Sequence, residues 1–365
     1  MAGNSFGQLF RITTWGESHG PAVGVIVDGC PARLELSERT IQQMLDRRRP
    51  GSGPTSTTRG EGDRARILSG VFDDRTTGTP IAILVENRDA KPAAYAPYAD
   101  LFRPGHGDIT YQAKYGIRDW RGGGRSSARE TVGRVAGGAV AGVLLKHFDV
   151  RVIAYTRDLG GVRIQGVDLE SVDRNPFGSP DPGSVPLMAE RVASAKKQGD
   201  SIGGVVEIVA NGVPAGLGEP VFDKLDADLA KGLMSIGAVK GVEIGSGFKA
   251  ASIPGSEHND PITEKGYASN HAGGILAGIS NGDQIVIRAA VKPIPSIRRV
   301  QRTIDAKGQA RELSVTGRHD VAAIPRINVV CEAMVNLVLA DHLLRQRAGA
   351  GSVSNRGDQP TAGGK

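Results

Sequence analysis

The residues with the greatest chemical reach lie between Arg103 and Arg134, in RPGHGDITYQAKYGIRDWRGGGRSSARETVGR. A histidine titrates near neutrality, so His106 is a candidate proton-transfer group, with Asp108 two residues on. Gly122, Gly123 and Gly124 carry no Cβ, so the chain can bend sharply there and come close to a ligand. Ser127-Ala-Arg-Glu130 has the spacing of a capping box and predicts the start of a long helix, about Ser127 to Phe148. A helix start offers unpaired N–H groups and a partial positive charge. Arg118 and Arg121 lie just upstream of it, and Arg125 and Arg129 flank it. Spacing alone also fits a capped helix behind a solvated basic loop. The convergence of arginines on a glycine-cushioned helix start favours an anion site.

Other stretches add to or subtract from that chemistry. Glu17-Ser18-His19 stands between Gly16 and Gly20 as a polar hairpin turn; no second His or Cys has ligand spacing, so no metal site is expected. A helix over Ser37 to Arg48, stopped by Pro50-Gly51, ends in Arg47-Arg48-Arg49. The helix dipole accounts for one or two cations there. Three in a row, followed by GSGPTSTTRGEG, suit a lid that meets an anion. Gly245 to Ala250 has the letters of a dinucleotide fingerprint, but Ser252-Ile-Pro-Gly follows instead of a helix, which excludes that reading. A phosphotransferase would need GxxxxGK[ST] or a kinase-type acidic pair for Mg²⁺, and neither is evident. Ser269 to Gly282 is a glycine-rich hairpin or loop, and the prolines of Lys292-Pro-Ile-Pro-Ser296 stiffen the chain and aim Lys292.

These groups must be carried by a sizeable scaffold. The chain has 365 residues, enough for one large core or two fused halves. Strands are expected at Phe10–Thr14, Ala22–Asp28, Arg66–Phe72, Pro80–Glu86, Arg151–Arg157, Gly204–Ala210 and Gln284–Val291, and further helices at Val185–Lys197, Phe222–Ser235 and Ile327–Arg347. Asn87 to Pro104 reads as a loop. The helix after Ser127 carries Gly133, Gly137, Gly138 and Gly142. Each glycine costs up to about 1 kcal/mol relative to Ala in a helix, so this helix should be central, with neighbours packed on its backbone. The last helix is apolar nearly all round and should be buried too.

A net charge of +6 suits an acidic partner, and clusters of Arg beside Gly and Ser favour small anions. Aromatic residues make up only 4%, which argues against a nucleic-acid stacking platform. Cys30 and Cys331 lie in apolar company and are expected as buried thiols in a reducing compartment. No signal peptide and no run of about 18 apolar residues is evident. Residues 1–347 are expected as a single catalytic domain, and 348–365 as a polar disordered tail whose Arg356-Gly-Asp358 is chance.

Five blocks in order, TTWGESHGPAVG, DRRRPG, FRPGHGDITYQAKYGIRDWRGGGRSSARETVGRVAGG, SNHAGGILAGISNG and GRHD, make the whole of Met1 to about Arg347 resemble chorismate synthase of the bacterial type. The resemblance implies an α+β fold, a β-α-β sandwich with antiparallel sheets around a helical core, and a cytoplasmic homotetramer. It implies reduced FMN as cofactor and a 1,4-elimination turning 5-enolpyruvylshikimate 3-phosphate into chorismate and phosphate. With no nicotinamide site legible, an external flavin reductant is expected rather than NADPH used by the chain itself. By the family pattern flavin contacts fall on Arg125, Ser126, Ser127, Gly237, Ala238, Ala277, Lys292, Pro293, Ile294, Pro295, Ser296 and Arg318. Arg48, Arg49 and Arg129 would hold substrate anions, His19 and His106 would be the acid/base histidines, and Asp320 would act beside the flavin. The chain departs from the pattern at Pro54, where the family often has arginine; either Arg49 or Arg59 takes that role, or the lid binds less tightly. It also has Val321-Ala322 in place of Pro-Cys, and Ala277 in place of a frequent Gly.

Overall fold

The computed structural model describes residues 3–49, 55, 62–88, 92–315 and 319–350. Two five-stranded antiparallel sheets enclose a layer of helices. The first sheet contains β1 (Ser5–Phe6), β2 (Arg11–Gly16), β3 (Ala22–Asp28), β4 (Ala65–Ile67) and β5 (Ile81–Glu86), in the order β1-β2-β3-β5-β4. Alternation in β3 and β5 turns Val23, Val25, Val27, Ile81, Ile83 and Val85 to one buried face. Against this sheet pack α1 (Glu38–Arg48) and α3 (Thr131–Lys146), with the short α2 (Asp108–Tyr115) between them in the chain.

The second half holds β6 (Arg151–Leu159), β7 (Val162–Arg163), α4 (Val185–Lys197), β8 (Gly204–Asn211), α5 (Leu225–Met234), β9 (Val239–Ile244), α6 (Gly255–His258), β10 (Ile285–Val291) and α7 (Ile324–Ala350). Its sheet runs β9-β10-β8-β6-β7. Ala154, Val206, Ile208, Ile285 and Ile287 form a buried face against which α7 packs.

The glycines of α3 answer to contacts on both its sides. A Cβ on Gly133 would lie 2.8 Å from the Gly24 carbonyl oxygen, and one on Gly137 would lie 3.0 Å from Ile12 Cγ2. On the other flank a Cβ on Gly138 would lie 2.4 Å from Ala333 Cβ of α7, and one on Gly142 would lie 3.2 Å from Asn336 Nδ2. The missing side chains let α3 sit between the first sheet and α7, as the glycine count predicted.

Some expectations need correction. The 26 residues Ile324–Gly349 are long and apolar enough to cross a membrane by composition, although no such run was expected; 94% of the apolar window is buried between the protein's own layers. That helix extends past Arg347 to Ala350, and residues 351–365 of the expected tail lie outside the described residues. Arg66–Phe72 is not one strand, because Gly70 turns the chain at φ +80° between β4 and a short Val71–Thr76 hairpin. Residues Pro92–Tyr98 form a 3₁₀ helix inside the expected loop. The eight-residue α2 was not foreseen: only Asp108 of it is buried, so it has no apolar stripe to read. The capping box is half made. Ser127 Oγ accepts from Arg129 N at 3.3 Å and caps a 3₁₀ turn, Ala128–Glu130, while Glu130 pairs forward with Arg134 at 2.8 Å. Cys30 and Cys331 are buried free thiols, and burial pushes the Cys30 thiol up to about 12.

Candidate active site

The three-glycine turn is the floor of the site. Gly122, Gly123 and Gly124 have φ of +74°, +93° and +53°. A Cβ on Gly122 would lie 2.6 Å from His19 Nε2, and one on Gly123 would lie 2.8 Å from His106 Cε1 and 2.9 Å from Ser126 Oγ. The room that Gly122 and Gly123 leave is therefore taken by the two histidines. His19, from the turn after β2, is buried with its ring edge-on to Tyr95 at a centroid distance of 5.1 Å. His106 arrives on the Arg103–Gly107 segment ahead of α2. Sequence spacing of 87 positions between the two rings hid their common support.

Asp108 anchors the His106 segment. Its buried carboxylate accepts from Arg103 Nε at 2.7 Å and from Arg103 Nη2 at 2.9 Å, and also from the Arg103 backbone N–H at 3.1 Å. Arg118 Nη1 stands 3.7 Å away and His106 Nδ1 3.1 Å away. Burial opposes its charge, but the bonds from Arg103, with the His106 ring close by, prevail and hold the carboxyl far below the usual range. His319 is pressed the other way: burial, then the Arg103 guanidinium, push its imidazole down to about 4.

The expected flavin blocks partly gather here. Lys292 Nζ donates to Gly105 O at 2.6 Å, and a Cβ on Gly105 would lie 3.3 Å from Pro295. Lys292 N donates to Ala238 O at 2.9 Å, which brings Gly237-Ala238 to the same place, with Ala238 at φ +76°. Ser201 Oγ donates to Ile294 O at 2.6 Å and Ser296 is buried, so the Pro293–Ser296 segment is held. Burial and Lys240 push the Lys292 ammonium down. Ser126 Oγ donates to Gly123 O at 2.7 Å, and Ser127 is the cap already described. Arg125 turns away: its Nη atoms bond Gly16 O at 3.2 Å and Thr14 Oγ1 at 2.6 Å, bracing β2. Ala277, at φ +52°, sits on a separate hairpin next to Gly278, whose carbonyl accepts from Leu225 N. Arg318 lies outside the described residues, as do Pro54 and Arg59.

Arg48 and Arg129 do meet, through a carboxylate that sequence reasoning missed. Asp63 Oδ2 accepts from Arg48 Nη1 at 3.1 Å, and Oδ1 accepts from Arg129 Nη1. The Asp63 side chain is 0% exposed, and those of Arg48 and Arg129 are 3% and 4%. Arg48 also donates to Thr131 Oγ1 and Ala128 O, and Arg129 to Asn87 Oδ1. Despite burial, the two guanidinium groups hold the Asp63 carboxyl below the usual range. Arg49 lies apart, 45% exposed, 3.6 Å from Asp46. Asp320 is 8% exposed and takes a hydrogen bond from Arg326, whose Nε donates to Arg48 O at 3.2 Å. The arginines of this region thus mostly carry internal partners, and the site's charge is balanced within the fold rather than bare.

Comparison with known proteins agrees over nearly the whole chain. A family model described as Chorismate synthase matches residues 10–344. A chorismate synthase of Desulfosudis oleivorans is 66% identical over 349 residues, covering 95% of this chain and 99% of the relative. One of Roseiflexus castenholzii is 56% identical, covering 95% and 98%. A crystal structure of chorismate synthase superposes with a TM-score of 0.76 at 34% identity, covering 93% of each chain. Sequence and fold agree over nearly the whole chain, and the chain belongs to the chorismate synthase family.

Proposed function

We propose that the chain performs the carbon–oxygen lyase reaction of its family with reduced FMN, eliminating phosphate from 5-enolpyruvylshikimate 3-phosphate to give chorismate. The observation that carries this reading is the seating of His19 and His106 on one glycine turn, with the Lys292 and Ala238 blocks against the His106 segment. The donor chemistry suits an anionic flavin: Lys292, Ser126 and the backbone at Ala238 would hold it, whereas Arg125 contributes by bracing β2. When bound, the reduced flavin supplies electron density to a substrate centre that becomes electron-poor as phosphate leaves. His106 and His19 supply protons where charge develops, Arg48 and Arg129 set the charge of the substrate face, and Asp320 accepts or shares a proton beside the flavin. We further read the protein as a cytoplasmic homotetramer fed by an external flavin reductant.

The test is anaerobic turnover. Photoreduced FMN should support chorismate formation with phosphate release, although no electrons are transferred overall. Oxidised FMN with NADPH, and no separate reductase, should not. Steady turnover with oxidised FMN and no reductant would refute the reading.

A further inference from the structure

The nitrogen of His106 that carries its proton can be read from what surrounds Nδ1. A ring nitrogen's protonation is set by the hydrogen bond that the other nitrogen, or its own neighbour, makes. Arg103 spends Nε–H and one hydrogen of Nη2 on the two oxygens of Asp108. Its Nη2 also lies in hydrogen-bonding geometry 3.2 Å from His106 Nδ1. A guanidinium has donors only and stays charged, so in that bond Nδ1 must be the acceptor. Asp108 Oδ1, 3.1 Å from Nδ1, already accepts from Arg103 Nη2 and stands in ion-pair range rather than making a second hydrogen bond to the ring. The neutral imidazole then carries its hydrogen on Nε2. Among the described residues Nε2 makes no hydrogen bond, and the side chain is 14% exposed, so that hydrogen is free to meet a ligand.

We propose that Asp108 and Arg103 act together as a positioning pair that fixes His106 in the Nε2–H form, so that its free edge is a hydrogen-bond donor at rest. Asp108 is the origin of the effect, because its carboxylate clamps the Arg103 fork in the plane from which Nη2 reaches Nδ1. The same arrangement serves the protonated ring. A second proton enters at Nδ1, and Asp108 Oδ1, 3.1 Å away, replaces Arg103 as its partner. Loss of the Nε2 proton to a ligand then leaves a neutral ring with Nδ1–H held by Asp108. The charged and titratable groups around the ring are Arg103, Asp108, Arg118 and His319. The glycine turn completes the device, since a Cβ at Gly123 would push into both His106 Cε1 and, at 3.2 Å, Arg103 Nη2.

The proposal deepens the reading of His106 as a site residue, and its main test stands without that reading. Neutron diffraction from the ligand-free protein at about pD 8, where an ordinary imidazole is neutral, locates the deuteron directly. A deuteron on Nε2 alone is expected; a deuteron on Nδ1 overturns the proposal. Asp108→Asn should lower kcat by about ten- to a hundred-fold, the usual loss when a partner orienting a functional imidazole is removed. FMN affinity should change less than about threefold, a drop of about 0.65 kcal/mol or less. If His106→Gln is slow, an unchanged kcat in a folded Asp108→Asn protein also overturns it. His106→Gln separates the two readings: full rate in that variant removes His106 from catalysis while leaving the neutron result untouched.

Discussion

The Asp63→Asn substitution puts the buried arginine pair to a quantitative test. Asparagine has the shape of aspartate and tolerates the φ of +38° at this position, so the change removes charge with little backbone cost. Arg48 and Arg129 would keep their other bonds but lose their common counter-charge in a place where all three side chains are at most 4% exposed. Removing one partner of a buried ion pair costs about 3–5 kcal/mol, a large part of a typical stability of about 5–15 kcal/mol. With an unfolding entropy of about 2.1 cal/mol/K per residue over the 365-residue chain, Tm should fall by about 4–7 °C. Calorimetry at low salt reads this directly. Inorganic phosphate should then raise the variant's Tm more than that of the unaltered protein, because an anion beside the arginine pair supplies the counter-charge it has lost. The carboxylate is held below its usual range, so its contribution is present above about pH 4 and is lost as pH falls further. A Tm within 1 °C of the parent protein, or an equal phosphate response in both, would refute the reasoning.

Gly138→Ala should destabilise by about 1–3 kcal/mol despite alanine's better helix propensity, since its Cβ meets Ala333 at 2.4 Å; Gly142→Ala, facing a movable Asn336 amide at 3.2 Å, should be much milder, and urea melts compare them. His319, with its imidazole down at about 4 against 6.5 for the free group, is neutral when folded, so the unfolded chain binds the extra proton between those pH values. Its stability is whole above about pH 6.5 and falls by about 2–3 kcal/mol as pH drops to 4, once partial exposure is allowed for, and His319→Gln should flatten that window in a pH series of melts. Asp320→Asn should bind FMN normally yet lose at least about a hundredfold in kcat, measured by chorismate release; near-normal turnover leaves Asp320 only as the partner of Arg326.

The sequence by itself determined what repeats locally. The alternation of Ala22–Asp28 and the periodicity of Val185–Lys197 specify those elements without help, because side-chain direction follows backbone period. The glycine load of α3 announced a helix packed on both flanks, and the five motif blocks carried the family. Long-range partners were decided only in three dimensions. Nothing in the chain order says that the glycine turn at 122–124 seats His19 and His106, or that Asp63 joins Arg48 to Arg129. The arginines read from sequence as a bare anion site; folding supplies most of them with carboxylates or carbonyls, since a buried cation without a partner is too costly. Even the capping box was settled by packing, with Glu130 drawn to Arg134, which reaches on to Ser235. Local pattern decides which segments form and which face they bury. Which charges meet inside depends on how the layers stack, and linear spacing does not encode that.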